Sequence, residues 1–226
     1  MVDQVKEPFV FCTRLYLPEL TGLKASTIGQ LLELIKQVPN SCIYHHTHRF
    51  LLQHQFLSPE PPNDFAYWVT AILGEDELGE KLSSIDTIQY PNIHELREAI
   101  ARTIQNYTNK DPSSAARYSR RGGEFHFIKS VSFIFSTNYV ARDLNEFLDI
   151  LKNISIESIY FHIFDARLRL ERGVNDFSRW FENSVGDKYL ADRVSKLDPY
   201  TYTLEELRKT IIKLIEKRMP KKDAKA

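Results

Sequence analysis

The spacing of apolar positions changes period several times along the chain. Phe9, Phe11, Thr13, Leu15 and Leu17 alternate with Val10, Cys12, Arg14 and Tyr16, which is the two-residue period of a strand. The run from Phe125, FHFIKSVSFIF, has the same character. At Ile28 the period becomes helical: Ile28, Leu31, Leu32 and Ile35 fall on one face, Thr27 and Gln30 form a capping pattern ahead of them, and Pro39 stops the run. Further helices are read from about Ser41 to Gln55, Asp64 to Leu73, Glu77 to Ile85 and Ile93 to Tyr107, with Gly74 placed to end one of them.

The pattern is then repeated. At an offset of 116, Phe9-Val10-Phe11 answers Phe125-His126-Phe127, Ile28, Leu31, Leu32, Ile35 and Val38 answer Leu144, Phe147, Leu148, Leu151 and Ile154, and Ile43-Tyr44-His45-His46 answers Ile159-Tyr160-Phe161-His162. Asn63-Asp64-Phe65-Ala66-Tyr67-Trp68 answers Asn175-Asp176-Phe177-Ser178-Arg179-Trp180 at 112, and Leu96-Arg97 answers Leu207-Arg208 at 111. The first half carries four extra residues in the Pro-rich stretch Ser58 to Pro62. These matches predict a tandem duplication: a first repeat over 1–107, a linker over 108–123 rich in Pro, Ser and Gly, a second repeat over 124–218 and a basic tail over 219–226. One strand and about five helices per half make a mainly helical α+β protein, its halves packed as a pseudo-twofold pair. The two lone strands are placed to pair across that axis.

Composition narrows the function classes. Lys and Arg number 30 against 30 Asp and Glu, so the chain lacks the clustered basic excess that phosphate backbones demand, and nucleic acid is an unlikely partner. Fourteen Phe and eleven Tyr against eight Gly argue for a packed core. The first apolar stretch, Phe9 to Cys12, is too short for a signal peptide or a membrane span, which points to the cytoplasm. Cys12 and Cys42 have no CxxC spacing and read as small hydrophobes in a reducing compartment.

Candidate chemistry gathers in the first half. His45, His46 and His48 lie in one short tract, and imidazole is the commonest transition-metal ligand, so a divalent metal enters as a candidate cofactor. Helical spacing scatters the three, and no HExxH pair is present. Asn63 and Asp64 precede an apolar helical run, where one of them serves as N-cap and the other, Asp64, is placed to orient the His46 imidazole. Trp68 follows Asp64 by one helical turn and, with Tyr44 and Asn63, is a candidate ligand-binding wall, although matched tryptophans also serve as core anchors. Arg97, matched by Arg208, is a candidate partner of Asp64 or of an anion. His46, Asp64 and Arg97 are therefore the candidate catalytic set. GxGxxG, Walker and GxSxG signatures are all missing.

The stretches Ile43-Tyr44-His45-His46-Thr47-His48-Arg49-Phe50 and Pro59-Glu60-Pro61-Pro62-Asn63-Asp64-Phe65-Ala66-Tyr67-Trp68 resemble an uncharacterised bacterial and archaeal family, a domain of unknown function, over most of the chain. The resemblance carries no established catalytic residues. It implies an association with genes of trehalose and glycogen metabolism, and so a sugar-related role. The expectation is a binding or regulatory module for a small molecule or a partner protein, with self-association allowed. The alternatives are a metal-dependent or acid–base hydrolase centred on His46, Asp64 and Arg97, and a structural scaffold. The distinctive features of the first half place a site there, near HHTHRF and PEPPNDFAYW.

Overall fold

The protein is described by a computed structural model over residues 5–49, 63–166, 174–197 and 203–219. The Ser58 to Pro62 stretch, the end of the Ser41 to Gln55 helix and most of the basic tail lie outside these residues.

Two long strands, β1 (Phe9–Ala25) and β2 (Phe125–Ala141), form an antiparallel two-stranded sheet. Cross-strand partners fix the register: the Thr21 hydroxyl donates to the Phe127 carbonyl at 2.7 Å, Lys129 pairs with Glu19 at 2.9 Å, and Thr137 donates to the Phe11 carbonyl at 2.7 Å. Ten α-helices are present among the described residues, so the chain is α+β and mainly helical.

The helices follow the caps that the sequence announces. In α1 (Ile28–Gln37) the Thr27 side chain accepts from the Gln30 N–H at 3.1 Å, while Gln30 Oε1 returns a bond to the Ser26 N–H at 2.8 Å. Val38 is extended, as a residue before proline should be, and the helix ends there. After α2 (Asn40–Tyr44) the chain continues as a π-helical turn, His45–Arg49. Next, α3 (Asp64–Tyr67) runs into a second π-turn, Trp68–Ile72, and Gly74 closes it in the left-handed region at φ 71°. The first series is completed by α4 (Asp76–Ser83) and α5 (Ile93–Lys110). After β2 come α6 (Leu144–Asn153), α7 (Ile156–Tyr160) with π-turn Phe161–Asp165, α8 (Asp176–Trp180) with π-turn Phe181–Val185, α9 (Lys188–Ser195) and α10 (Leu204–Glu216).

The chain divides into two compact units whose borders fall inside the strands. The contiguous unit is Tyr16–Phe133; the split unit joins Met1–Leu15 to Ile134–Ala226. In the contiguous unit the apolar face of α1 packs with Leu96, Ile100 and Ile104 of α5 and with Phe65, Phe125 and Phe127. The split unit is built on an aromatic cluster in which Phe9 meets Phe147 and Phe177 at 5.4 Å and Phe147 stacks on Trp180 at 5.0 Å. Each such pair contributes about 0.5–1.5 kcal/mol beyond the burial of its area.

Residues 108–123 are largely exposed but held by local hydrogen bonds. Helix α5 runs on to Lys110, Asp111 caps a 3-10 turn over Pro112–Ala116, Ser114 is buried, and the Ser119 N–H donates to Ser26 at 2.8 Å. Arg117 reaches back to Glu75 at 2.8 Å.

Candidate functional site

One arrangement occurs in both units. In the contiguous unit the N-cap Asn63 accepts from the Ala66 N–H at 2.9 Å and donates its amide to the Leu82 carbonyl at 3.1 Å. That frees Asp64, the first helical residue, to face the π-turn that follows α2, where its carboxylate meets His46 Nδ1 at 2.7 Å. The other ring nitrogen, Nε2, accepts the Ile128 N–H of β2 at 3.0 Å. In the split unit Asn175 caps α8 through the Ser178 N–H at 2.8 Å and holds the Val194 carbonyl at 3.1 Å. Asp176 meets His162 Nδ1 at 2.8 Å, and His162 Nε2 accepts the Cys12 N–H of β1 at 2.8 Å.

The geometry fixes the tautomer. Nε2 faces a backbone donor and must present its lone pair, so the proton sits on Nδ1 and points at the carboxylate. Both nitrogens are thereby engaged. Strand hydrogen bonding alternates sides, and the Cys12 N–H points away from β2. The Cys12 carbonyl on that edge accepts from the Ser158 hydroxyl at 2.6 Å. Each imidazole thus closes an otherwise open strand edge onto the helical layer, satisfying a backbone donor that burial would leave costly.

The remaining candidates of the His tract have separate partners. His45 Nδ1 lies 2.9 Å from the Ser130 hydroxyl, and His48 Nδ1 lies 2.9 Å from the Thr47 hydroxyl. His48 stacks on Tyr44, whose hydroxyl bonds that of Tyr16, and burial pushes the His48 pKa down to about 4. Among the described residues no group of three or more His, Cys, Asp or Glu is placed to hold a metal ion.

Arg97 does not join His46 and Asp64. Its guanidinium donates to the Val38 carbonyl at the end of α1, as Arg208 does to Leu151 at 3.1 Å at the end of α6. Both arginines satisfy carbonyls that a helix terminus leaves without an intrahelical donor. Trp68 is buried and its indole N–H donates to the Gly123 carbonyl at 2.7 Å; Trp180 does the same to Glu7 at 2.8 Å. Each tryptophan therefore fastens the chain just before it enters a strand. Cys12 and Cys42 are free thiols, and burial raises the pKa of Cys42.

A cleft opens beside the second His–Asp pair. It lies in the split unit, has a volume of about 400 Å³, and is lined by Val10 and Cys12 of β1 together with Phe161, Asp176, Arg179, Trp180 and Asn183. Arg179 and Asn183 are one helical turn apart and exposed, so their polar ends are free to meet a ligand.

The family model of DUF5752 matches residues 6–216, nearly the whole described chain. The chain belongs to DUF5752, a family of unknown function. It is also similar to a solved structure, OrfY from Thermoproteus tenax: the two are 31% identical, the match covers 96% of this chain and 98% of that one, and the TM-score is 0.80. No curated protein matches. Membership of DUF5752 agrees with the resemblance to a family of unknown function read from the sequence.

Of the cleft residues of this DUF5752 chain, sequence reasoning reached Asp176 and Trp180 through their matches Asp64 and Trp68 but not Arg179 and Asn183. Arg179 and Asn183 carry a weak signal, an exposed polar pair at i, i+4 beside a tryptophan. The strand donors Ile128 and Cys12 carry none, because the bonding direction of a backbone N–H is not written in its side chain.

Proposed function

We propose that the protein is a binding module whose site is the cleft of the split unit, taking a small polar ligand of the carbohydrate class. One observation carries the reading. A carboxylate, a guanidinium and a carboxamide from Asp176, Arg179 and Asn183 converge beside Trp180 and Phe161, while the imidazole in the same cleft has both nitrogens in use. A few polar groups fixed around apolar walls orient a ligand without performing chemistry on it. A hydrolytic role for His46, Asp64 and Arg97 has less support, since His46 is spent on a strand and Arg97 on a helix end.

We further read the chain as a tandem duplication with pseudo-twofold character, working in the prokaryotic cytoplasm. The paired Asn–Asp–His arrangements support that history. Among the described residues no helix is long and apolar enough to cross a membrane.

The test is calorimetric titration with a panel of neutral mono- and disaccharides. Saturable binding that is weakened about tenfold or more in Arg179→Ala and Asn183→Ala, with unchanged thermal stability, supports the site; tenfold corresponds to roughly 1.4 kcal/mol, one good polar contact. Absence of binding across the panel, or binding indifferent to both substitutions, overturns it.

A scaffold is the second reading. In the contiguous unit Leu17, Leu20 and Leu23 of β1 are exposed, Leu20 at 70%. Apolar strand side chains in water favour association. Light scattering after size exclusion distinguishes this reading: a monomer at high concentration removes its support.

A further inference from the structure

In the split unit the end of β2, from Ile134 to Ala141, lies beside the start of β1. Cys12 turns its N–H and carbonyl to the helices and faces Ser136 across the sheet, with Sγ and Oγ 3.9 Å apart. In an antiparallel ladder two residues opposed in this way both bond outward, so the N–H and C=O of Ser136, and those of Ile134 two positions before it, point away from β1. Both residues are exposed, and among the described residues nothing outside the sheet bonds those groups. We propose that this edge pairs with the same edge of a second copy, joining two chains through an antiparallel β2–β2 contact.

Two matched strand edges differ in a way that decides which of them pairs. At the offset of 116, Ile134-Phe135-Ser136-Thr137-Asn138-Tyr139-Val140 answers Pro18-Glu19-Leu20-Thr21-Gly22-Leu23-Lys24 of β1. The match extends to local bonding. Thr137 and Thr21 each donate to a carbonyl of the other strand and accept the N–H of the residue two positions on, Tyr139 at 3.2 Å and Leu23 at 3.1 Å. The β1 stretch carries Pro18 without an N–H, the carboxylate of Glu19, Gly22 at φ 77° and the ammonium of Lys24. Proline, charge and a break in regular extension are what keep an exposed strand edge from pairing. At the same places β2 has Ile134, Phe135, Asn138 and Val140, and none of that protection.

Neutrality selects the occupant. Ile134–Ala141 has no charged residue in a chain of which 27% of residues are charged, yet Ile134, Phe135 and Tyr139 stand 51, 51 and 48% exposed. Turned antiparallel upon itself about an axis near Ser136, the segment sets no like charges opposite one another, and each copy supplies the donors and acceptors that the other leaves open. The contact is isologous, so it consumes the edge and stops at two chains. A single strand pair lies below the roughly 1,200 Å² of standard interfaces, so the dimer is reversible, with a dissociation constant on the order of 100 µM. Ile134 also lines the cleft of the split unit, but the pairing needs no ligand there, so this inference and the cleft reading fail separately.

Sedimentation velocity of the full chain from about 1 µM to about 1 mM, with hydrogen exchange at both limits, tests the pairing. A monomer–dimer equilibrium is expected, with peptides spanning Ile134 to Ser136 exchanging at least about twofold more slowly in the concentrated sample. Phe135→Glu and Val140→Lys, which give β2 the residues of β1, should each weaken dimerisation about tenfold or more, with circular dichroism and thermal melts of wild-type form. Leu20→Glu, on the edge of β1, should leave the dimer intact. Three results overturn the proposal: a monomer throughout the range, growth past two chains, or a dimer that Leu20→Glu dissolves and neither β2 variant does, which assigns association to the exposed leucines of β1.

Discussion

Cys12 and His162 are joined from backbone to ring: the Cys12 N–H donates to His162 Nε2 at 2.8 Å, across 150 positions of sequence. The bond ties a strand edge to a helix, and its counterpart from Ile128 to His46 does the same in the contiguous unit.

Removing the ring should therefore act on stability. His162→Phe keeps a ring in the aromatic cluster but strands the Cys12 N–H, and should cost about 1–3 kcal/mol. His162→Ala adds a cavity and should cost about 3–5 kcal/mol. Urea denaturation monitored by circular dichroism gives both values; equal stability of His162→Phe and wild type contradicts the edge-closing role.

Chelation should change nothing. His45, His46 and His48 each hold a different protein partner, so dialysis against EDTA should leave the melting temperature where it was, and elemental analysis of tag-free protein should give far less than one metal per chain. Stoichiometric zinc, iron or manganese that His46→Ala removes would reverse this.

Acid should destabilise the fold through His48. Its folded pKa is lowered by burial to about 4, from 6.5. Between those values the unfolded chain binds more protons, so the contribution is complete above about 6.5 and is lost as pH falls towards 4, by an amount on the order of 3 kcal/mol. Stability measured from pH 7 to 4 in His48→Phe should fall less steeply than in the wild type. Parallel curves would remove His48 as the cause.

The thiols should separate by reactivity. Cys42 is fully buried with a raised pKa, whereas Cys12 is partly exposed in the cleft. Native protein should release one equivalent of thionitrobenzoate from Ellman's reagent promptly, and the second at least about a hundredfold more slowly, since the thiolate is the reactive form. Cys12→Ser should abolish the prompt phase.

Local physics was legible in the sequence, and long-range partners were not. Thr27 ahead of an apolar series and Pro39 after it mark α1 at both ends, and an Asn-Asp pair before a helix leaves only one side chain to cap and one to point elsewhere. His46 reaches Ile128 across 82 positions, and nothing near His46 says which strand donor will arrive. Strand β1 continues past Pro18 to Ala25 because Gly22, at φ 77°, absorbs a left-handed residue within it. Residues 108–123 read as a linker because Pro, Ser and Gly also build flexible chain; here they build a capped turn that buries Ser114. Arg97 turns to Val38 because a helix end offers an unmatched carbonyl, a demand invisible in a residue count.

The unit borders inside the strands set an order of events on the ribosome. The contiguous unit, Tyr16–Phe133, has all its parts once its own residues have emerged. Residues 9–15 emerge before any of that unit, yet the helices that bury Phe9 and Phe11 follow Ile134. At roughly 5–20 residues per second, this strand segment waits about ten to thirty seconds for its partners, with its aromatic face open to chaperones or to another nascent chain.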